Sequence, residues 1–193
     1  MKTRWKIKKI VGAAILSAIA VVLQLIANYI TIGQLSINLS LIPIVIAAII
    51  YGPFSGALVG SLVGVVILLA PSTSVFLGYN AFATVVLCIL KTGLAGLVSG
   101  LLFMLIKKLS FVGATITSTL IVPIINTGLF LIGVLLWFLP VYGSNTDESI
   151  KNLITTLFLI NFAVEFAINA VLSPTIVYLV RLLDKRFNLE INK

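Results

Sequence analysis

Long apolar runs, separated by short polar or proline-containing segments, dominate the pattern of this chain. The runs extend over residues 10–32, 41–51, 54–70, 80–106, 111–139 and 154–183. Most of them approach or exceed the length of about 20 residues that an α-helix needs to cross the hydrocarbon core of a bilayer. The pattern therefore predicts an all-α membrane protein, built as a bundle of six transmembrane helices.

Prolines and polar residues mark the predicted ends and bends of these runs. The second run stops at Gly52-Pro53, because proline cannot continue helical hydrogen bonding, and the proline, serine and threonine at residues 71–74 predict a turn. Pro123 predicts an interruption and a kink in the fifth run, and Pro174 predicts a kink in the sixth. Polar loops are predicted at residues 31–40 and 143–151.

Composition agrees with a membrane location. Hydrophobic residues make up 61% of the chain and charged residues 9%, and the mean hydropathy is +1.25. Soluble domains are about half apolar and a quarter charged, so a water-soluble core does not account for the excess. The 193 residues leave room for about six helices and little else, which predicts one integral membrane domain over residues 1–193.

Basic residues set the expected orientation, because cytoplasmic loops of membrane proteins carry an excess of lysine and arginine. Six spans place both termini on one side. All 13 lysine and arginine residues except Lys91 and Lys151 then fall on that side. We therefore expect cytoplasmic termini, with residues 10–32 retained as the first span, since the apolar part of a secretory signal has only about 7–15 residues.

Several chemistries lack the residues they need. The chain has no histidine and a single cysteine, Cys88, which excludes zinc–histidine sites, Ser-His-Asp triads and Cys-His dyads. It has no G-x-x-x-x-G-K-[ST] motif, so any ATP hydrolysis by the P-loop route must come from another subunit. The basic residues lie at the ends of apolar runs, which argues against nucleic-acid binding. We expect no enzymatic activity, cofactor or metal in this chain.

Small residues recur at four-residue intervals, which places them on one helix face and lets another backbone approach closely. From the spacing alone we predict helix packing within the chain for each series. The series are Gly52, Gly56, Gly60 and Gly64 in the third run, Gly96 and Gly100 in the fourth, and Ala14 and Ala18 in the first.

Two ionisable residues, Lys91 and Glu165, lie within apolar runs. A lone charge at bilayer depth costs at least about 2.5–3.5 kcal/mol, so both side chains must face protein or water. Lys91 lies about eleven residues, or roughly 16 Å, beyond Asn80, and Glu165 is similarly deep. Two interpretations stay open, a buried pair that fixes helix packing or a polar site for a solute.

Amide and hydroxyl residues extend these two positions into polar stripes. Charge-assisted hydrogen bonds from Lys91 suit a carboxylate, and the amides suit hydroxyl and amide groups of the same ligand. Facing stripes therefore predict a polar cavity. The stripes comprise Asn161, Glu165 and Asn169 in the sixth run and Asn80, Thr84, Cys88 and Lys91 in the fourth, with Asn126 and Thr127 at membrane depth in the fifth and Gln24 and Asn28 near the outer end of the first.

Four segments carry a resemblance that extends over most of the chain. They are GAAILSAIA in the first run, NLSLIPIVIAAIIYGPFSGALVG across the second and third, LAGLVSGLLF in the fourth and INTGLFLIGVLLWFLP in the fifth. In this order they resemble the substrate-binding S component of an energy-coupling factor (ECF) vitamin transporter. The resemblance implies a multi-pass protein of the bacterial plasma membrane, with six spans and both termini cytoplasmic.

The resemblance also implies partners and roles for individual residues. An S component captures a vitamin from outside, associates with a coupling membrane subunit and two cytoplasmic ATPases, and topples in the membrane to release the vitamin. Ala14 and Ala18 match the face that docks on the coupling subunit. The ligand sits near the extracellular side, under residues 31–40 and among the later spans, which implicates Asn38, Asn80, Thr84, Lys91, Asn126, Asn161, Glu165 and Asn169.

The polar stripes favour a small hydroxylated carboxylate as the substrate, because they hold a lysine and several amides but few aromatic residues. Pantothenate fits this description. Folate is the alternative vitamin, although its pterin needs an aromatic partner, for which the candidates are Tyr79, Phe162 and Phe166. A further alternative is a stand-alone secondary carrier that uses Lys91 and Glu165 as a relay, with uptake driven by the proton-motive force.

Overall fold

A computed structural model provides the fold. It describes the backbone of residues 2–29, 31–32, 35–36, 38–138, 148–187 and 191, and the side chains of residues 7–29, 38–74, 76–137, 159–186 and 191. The described chain is almost entirely helical. Its elements are α1 (Lys2–Tyr29), the two-residue strands β1 (Thr31–Ile32) and β2 (Leu35–Ser36), α2 (Leu41–Tyr51), α3 (Pro53–Ile67), α4 (Pro71–Tyr79), α5 (Ala81–Ile106), α6 (Phe111–Gly133), a π-helical segment (Val134–Phe138) and α7 (Glu148–Phe187).

Four of these helices are long and apolar enough to cross a membrane. The segments that qualify are Ile7–Tyr29, Ala81–Ile106, Phe111–Trp137 and Leu159–Arg186. Helices α3 and α4 qualify only as a pair bent by 76°, and α2 has 11 residues, which is about 16 Å at 1.5 Å per residue. Within the described ranges this membrane protein therefore has four or five candidate spans.

Helices α3 and α5 form the closest helix pair, because glycines bring their backbones together. A Cβ atom added at Gly60 or Gly64 would collide with backbone atoms of α5, and Gly56 and Gly96 face each other across the same contact. The packing predicted for these glycines is confirmed. Gly52 has another role, since its φ of 95° makes the turn from α2 into α3, a backbone conformation that favours glycine.

Contacts between helix ends show that the long helices alternate in direction. Gly100, near the end of α5, packs on Pro53 at the start of α3. Arg181, near the end of α7, lies 5.5 Å from the ring of Phe111 at the start of α6. We call the end of the bundle that holds these four residues the basic end, because Lys107 and its neighbours also lie there.

The chain at Ile191 returns to the basic end. Its backbone carbonyl accepts a hydrogen bond from Lys107 Nζ at 3.3 Å, and its backbone N–H donates to Asp184 Oδ1 at 3.0 Å. The Ile191 side chain is buried in the core. These contacts, which we call the Ile191 clip, tie the end of α7 to the turn that follows α5.

At the opposite end, the segment that follows α1 is bound to α1 through buried side chains. The Ser40 hydroxyl lies 2.7 Å from Gln24 Oε1 and 2.6 Å from Asn38 Oδ1, so its one proton serves two acceptors. Gln24 Nε2 donates to Asn28 Oδ1 at 2.8 Å, and Asn28 Nδ2 donates to the Val66 carbonyl at 3.2 Å. We call these residues the Ser40 network.

Two proline predictions need correction. Pro71 begins the helix α4, although a turn was predicted at residues 71–74. Proline fits the first turn of a helix because its missing N–H would have had no helical acceptor there. Pro123 lies inside α6, which continues to Gly133, so the interruption predicted for the fifth run is wrong. The kink predicted at Pro123 stays a prediction. A π-helical segment follows the end of α6.

Pro174 also lies inside a helix, α7. A proline at this position deprives the Ala170 carbonyl, four residues earlier, of its helical hydrogen bond. The Ser173 hydroxyl donates to that carbonyl at 2.8 Å. The side chain next to the proline therefore satisfies the group that the proline leaves unpaired.

Other predicted ends of helices and loops differ from the observed ends by several residues. Helix α7 begins at Glu148, so the end of the loop predicted at residues 143–151 is helical. The rest of that loop, and residues 139–140 at the predicted end of the fifth run, lie outside the described residues. The second run was predicted correctly, since α2 extends from Leu41 to Tyr51.

Candidate functional site

Lys91 lies on α5 with its ammonium group over an aromatic ring. Its Nζ atom is 4.3 Å from the centroid of the Phe130 ring on α6, a distance at which the ring attracts a cation. The Phe76 ring, on α4, meets Phe130 edge-on, with ring centroids 5.6 Å apart. Three helices thus contribute to one half-buried group of a cation and two aromatic rings.

Glu165 lies on α7 and is 4% exposed. Its Oε2 atom accepts a hydrogen bond from the Thr127 hydroxyl at 3.0 Å. The side chain of Asn126 lies beside the carboxyl group, and the charge of Lys91 acts on it through space. Thr127 therefore links the carboxylate on α7 to α6.

Two buried amides near Glu165 have an oxygen atom without a partner. Asn169 Nδ2 donates to the backbone carbonyl of Glu165 at 2.8 Å. The Oδ1 atoms of Asn126 and Asn169 are buried and accept no hydrogen bond. An unpaired buried polar atom is costly, so these two oxygens are candidates for contact with a bound molecule.

Lys91 and Glu165 belong to α5 and α7, and both of these helices pack on α6. In the part of the chain that the structure describes, no ion pair joins the two side chains. Phe130 of α6 contacts the cation, and Thr127 of α6 binds the carboxylate. The two charged groups therefore have separate partners on α6 and do not form a direct pair.

Other residues predicted for the site have local structural roles. Asn80 is the N-cap of α5, where its Oδ1 atom accepts a hydrogen bond from the Ala83 N–H at 3.0 Å. The Thr84 hydroxyl donates to the Asn80 carbonyl at 2.8 Å. Asn38 belongs to the Ser40 network. Asn161 is half-buried on α7, one turn before Glu165.

The structure therefore brings together only part of the predicted set. Lys91, Asn126, Glu165 and Asn169 lie in one part of the bundle, which we call the polar region, whereas Asn38, Asn80 and Thr84 make contacts elsewhere. Thr84 precedes Lys91 by seven residues on the same helix, which corresponds to roughly 10 Å.

The sequence prediction missed the aromatic residues of this region. Phe130 follows Asn126 by four residues, so both lie on one face of α6, and that spacing was the available signal. Phe76 had no such signal, because its segment was predicted as part of a connection and not as a helix.

Ala14 and Ala18 lie on an uncovered face of α1. Both side chains are exposed, as are Val11, Ile15 and Val22 beside them. Gly12, by contrast, packs against Tyr51. The internal packing that the spacing of Ala14 and Ala18 predicts is therefore absent from the described structure, and this face remains available to lipid or to a partner.

Among the described residues, no group of three histidine, cysteine, aspartate or glutamate side chains could hold a metal ion. The site offers organic functional groups to a ligand. They comprise one ammonium, one carboxylate, two amide oxygens and an aromatic pair.

Comparison with known families identifies the class of membrane protein. Residues 8–181 match the family model for the ECF transporter, substrate-specific component. No significant match was found among curated proteins or among solved structures. The matched range contains α2 to α6 and every residue of the polar region. The chain therefore belongs to the ECF transporter substrate-specific component family, whose members bind the substrate and work with a membrane coupling subunit and ATPases.

Proposed function

We propose that the protein takes up pantothenate from outside the cell as the specificity-determining subunit of an ECF-type ABC transporter. The observation that carries this substrate is the Lys91 ammonium, half-buried over Phe130 and not joined to Glu165 by an ion pair. An ammonium at this depth suits a carboxylate. The amides of Asn126 and Asn169 suit the hydroxyl and amide groups of the same molecule.

Folate is the second candidate, and one observation favours it. The Phe76–Phe130 pair lies next to Lys91, so an aromatic platform for a pterin exists where the sequence offered only Tyr79, Phe162 or Phe166. Lys91 already covers one face of the Phe130 ring, which leaves less ring surface for stacking. Pantothenate, which needs no stacking partner, therefore remains the preferred substrate.

The proposed architecture is a single membrane domain with six spans and both termini in the cytoplasm. Alternating helix directions and the location of Lys107, Arg181 and Ile191 at one end support it, because basic residues favour the cytoplasmic side. The short α2 can serve as a span, since most of its residues are buried. A helix that protein surrounds does not have to match the bilayer thickness.

The proposed partners are a coupling membrane subunit, docked on the Ala14/Ala18 face, and two cytoplasmic ATPases. Small exposed residues on α1 support the docking role, because they let another helix approach closely. Energy for uptake comes from the ATPases, and the chain itself acts without enzymatic activity or a cofactor.

Native mass spectrometry of the protein purified from its own membrane tests the substrate and the partners together. We expect a bound mass equal to pantothenate and co-purification of the coupling subunit and both ATPases. Folate in place of pantothenate would select the second candidate. Uptake that requires the proton-motive force and persists without ATP would favour a secondary carrier and contradict the proposal.

A further inference from the structure

Two buried amide oxygens without a hydrogen-bond partner belong to the adjoining helices α6 and α7. They are Asn126 Oδ1 on α6 and Asn169 Oδ1 on α7. Glu165, one turn before Asn169, accepts a hydrogen bond from Thr127, the neighbour of Asn126. We call Asn126, Glu165 and Asn169 the acceptor pole.

The orientation of the Asn169 amide follows from its partner. Asn169 Nδ2 donates to the Glu165 carbonyl. Turning this amide over would bring its oxygen against that carbonyl, which is another acceptor. Asn169 therefore uses one of its two N–H donors within the protein, and its oxygen remains to accept.

We infer that the acceptor pole recognises hydrogen-bond donors of the ligand, its hydroxyl or N–H groups, while Lys91 binds the anionic end. The inference rests on the proposed function, since it assigns chemistry to the same binding site. It names Asn126 and Asn169 as the residues that distinguish a hydroxylated carboxylate from one of similar shape without hydroxyl groups. An analogue without hydroxyl groups would leave a buried acceptor without a donor, and this lowers the affinity of the protein for the analogue.

Access to the acceptor pole requires a local separation of α6 and α7, because both amide oxygens are enclosed in the conformation described. Pro123 lies three residues before Asn126, and Pro174 lies five residues after Asn169. Each proline removes a helical hydrogen bond, and helices bend most readily at such positions. Each helix therefore has a proline, and with it a place where bending is easiest, within about one and a half turns of the pole.

Calorimetric titration of the purified protein with two matched compounds tests the inference. Pantothenate carries a carboxylate, an amide and hydroxyl groups, and N-(3,3-dimethylbutanoyl)-β-alanine is the same molecule without the hydroxyl groups. We expect the wild type to bind pantothenate about tenfold more tightly or better. Asn169→Leu and Asn169→Ala should each weaken pantothenate binding. The ratio of the two affinities, pantothenate over its analogue, should then fall to about twofold or less.

Thr119→Val is the matched control. Thr119 is fully buried on α6, but its hydroxyl donates to the Thr115 carbonyl of its own helix at 2.8 Å. The variant should keep the wild-type ratio.

Two results would overturn the inference. Equal affinities of the wild type for both compounds, or a ratio preserved in both Asn169 variants, would refute the acceptor pole while vitamin binding stands. A wild type that binds neither compound would refute the pantothenate assignment, and with it the role of the pole in recognising hydroxyl groups.

Discussion

The Lys91 ammonium is placed 4.3 Å from the centre of the Phe130 ring. An aromatic face attracts the cation without accepting its N–H groups in strong hydrogen bonds, whereas a carboxylate partner would take up those donors. The relationship between Lys91 and Phe130 therefore fixes a cation in the interior and leaves its hydrogen-bonding capacity for an anionic ligand.

Removal of this cation should weaken vitamin binding strongly. We expect Lys91→Ala to raise the Kd for pantothenate by about 10- to 100-fold, the range of a charge-assisted hydrogen bond, and to have a larger effect than Asn169→Ala. Lys108→Ala, at an exposed position of the basic end, is the control. Equal pantothenate affinities of folded wild type and Lys91→Ala in calorimetry would refute the role of Lys91.

Bulk on the exposed face of α1 should separate binding from transport. We expect Ala14→Trp to leave pantothenate affinity within about twofold, because the Ala14 side chain is exposed on α1 and the site residues lie on α5, α6 and α7. The same variant should abolish ATP-dependent uptake in proteoliposomes that contain the coupling subunit and ATPases. Val171→Trp, on an exposed position of α7, should retain uptake. Normal uptake by Ala14→Trp would remove the docking role from this face.

Addition of a methyl group between α3 and α5 should destabilise the bundle. A Cβ at Gly60 would collide with the Thr92 backbone, so Gly60→Ala should reduce the unfolding free energy by about 1–3 kcal/mol. Gly128→Ala is the control, since nothing lies within 4 Å of its added Cβ and alanine favours the helix. Thermal unfolding in detergent should show a lower midpoint for Gly60→Ala and an unchanged or higher one for Gly128→Ala.

The Ser40 network should stabilise the contact between α1 and the residues just before α2. Ser40→Ala deprives the buried Gln24 and the nearby Asn38 of their shared donor, so we expect a loss of about 1–3 kcal/mol in unfolding free energy. Ser74→Ala changes an exposed serine that bonds within its own turn and should have little effect. Denaturant titrations in which both variants behave alike would contradict this role for the network.

The sequence predicted features that local chemistry determines. Gly52-Pro53 ends α2 because proline cannot donate to the preceding turn, and Gly56, Gly60 and Gly64 line a helix contact because their spacing matches the helical repeat. Proline was less informative when taken only as a helix breaker. Pro71 begins a helix, where proline is well suited to the first turn.

The composition of the site was predictable only in part, because polar residues in membrane helices serve several purposes. Asn80 was assigned to the ligand, yet it caps α5, a frequent use of asparagine at a helix start. Lys91 and Glu165 stood out from their apolar surroundings. Whether the two side chains meet depends on which helices pack together. The spacing of residues within one helix carries no information about helix packing.

The Ile191 clip has a practical consequence for work on this protein. Both backbone groups of Ile191 are hydrogen-bonded and its side chain is buried. A purification tag or fluorescent protein fused directly after this residue would therefore strain the contact between α7 and the turn after α5. A fusion joined through a flexible glycine–serine linker avoids that tension. Uptake and stability measured with and without such a linker would show whether a direct fusion weakens the Ile191 clip.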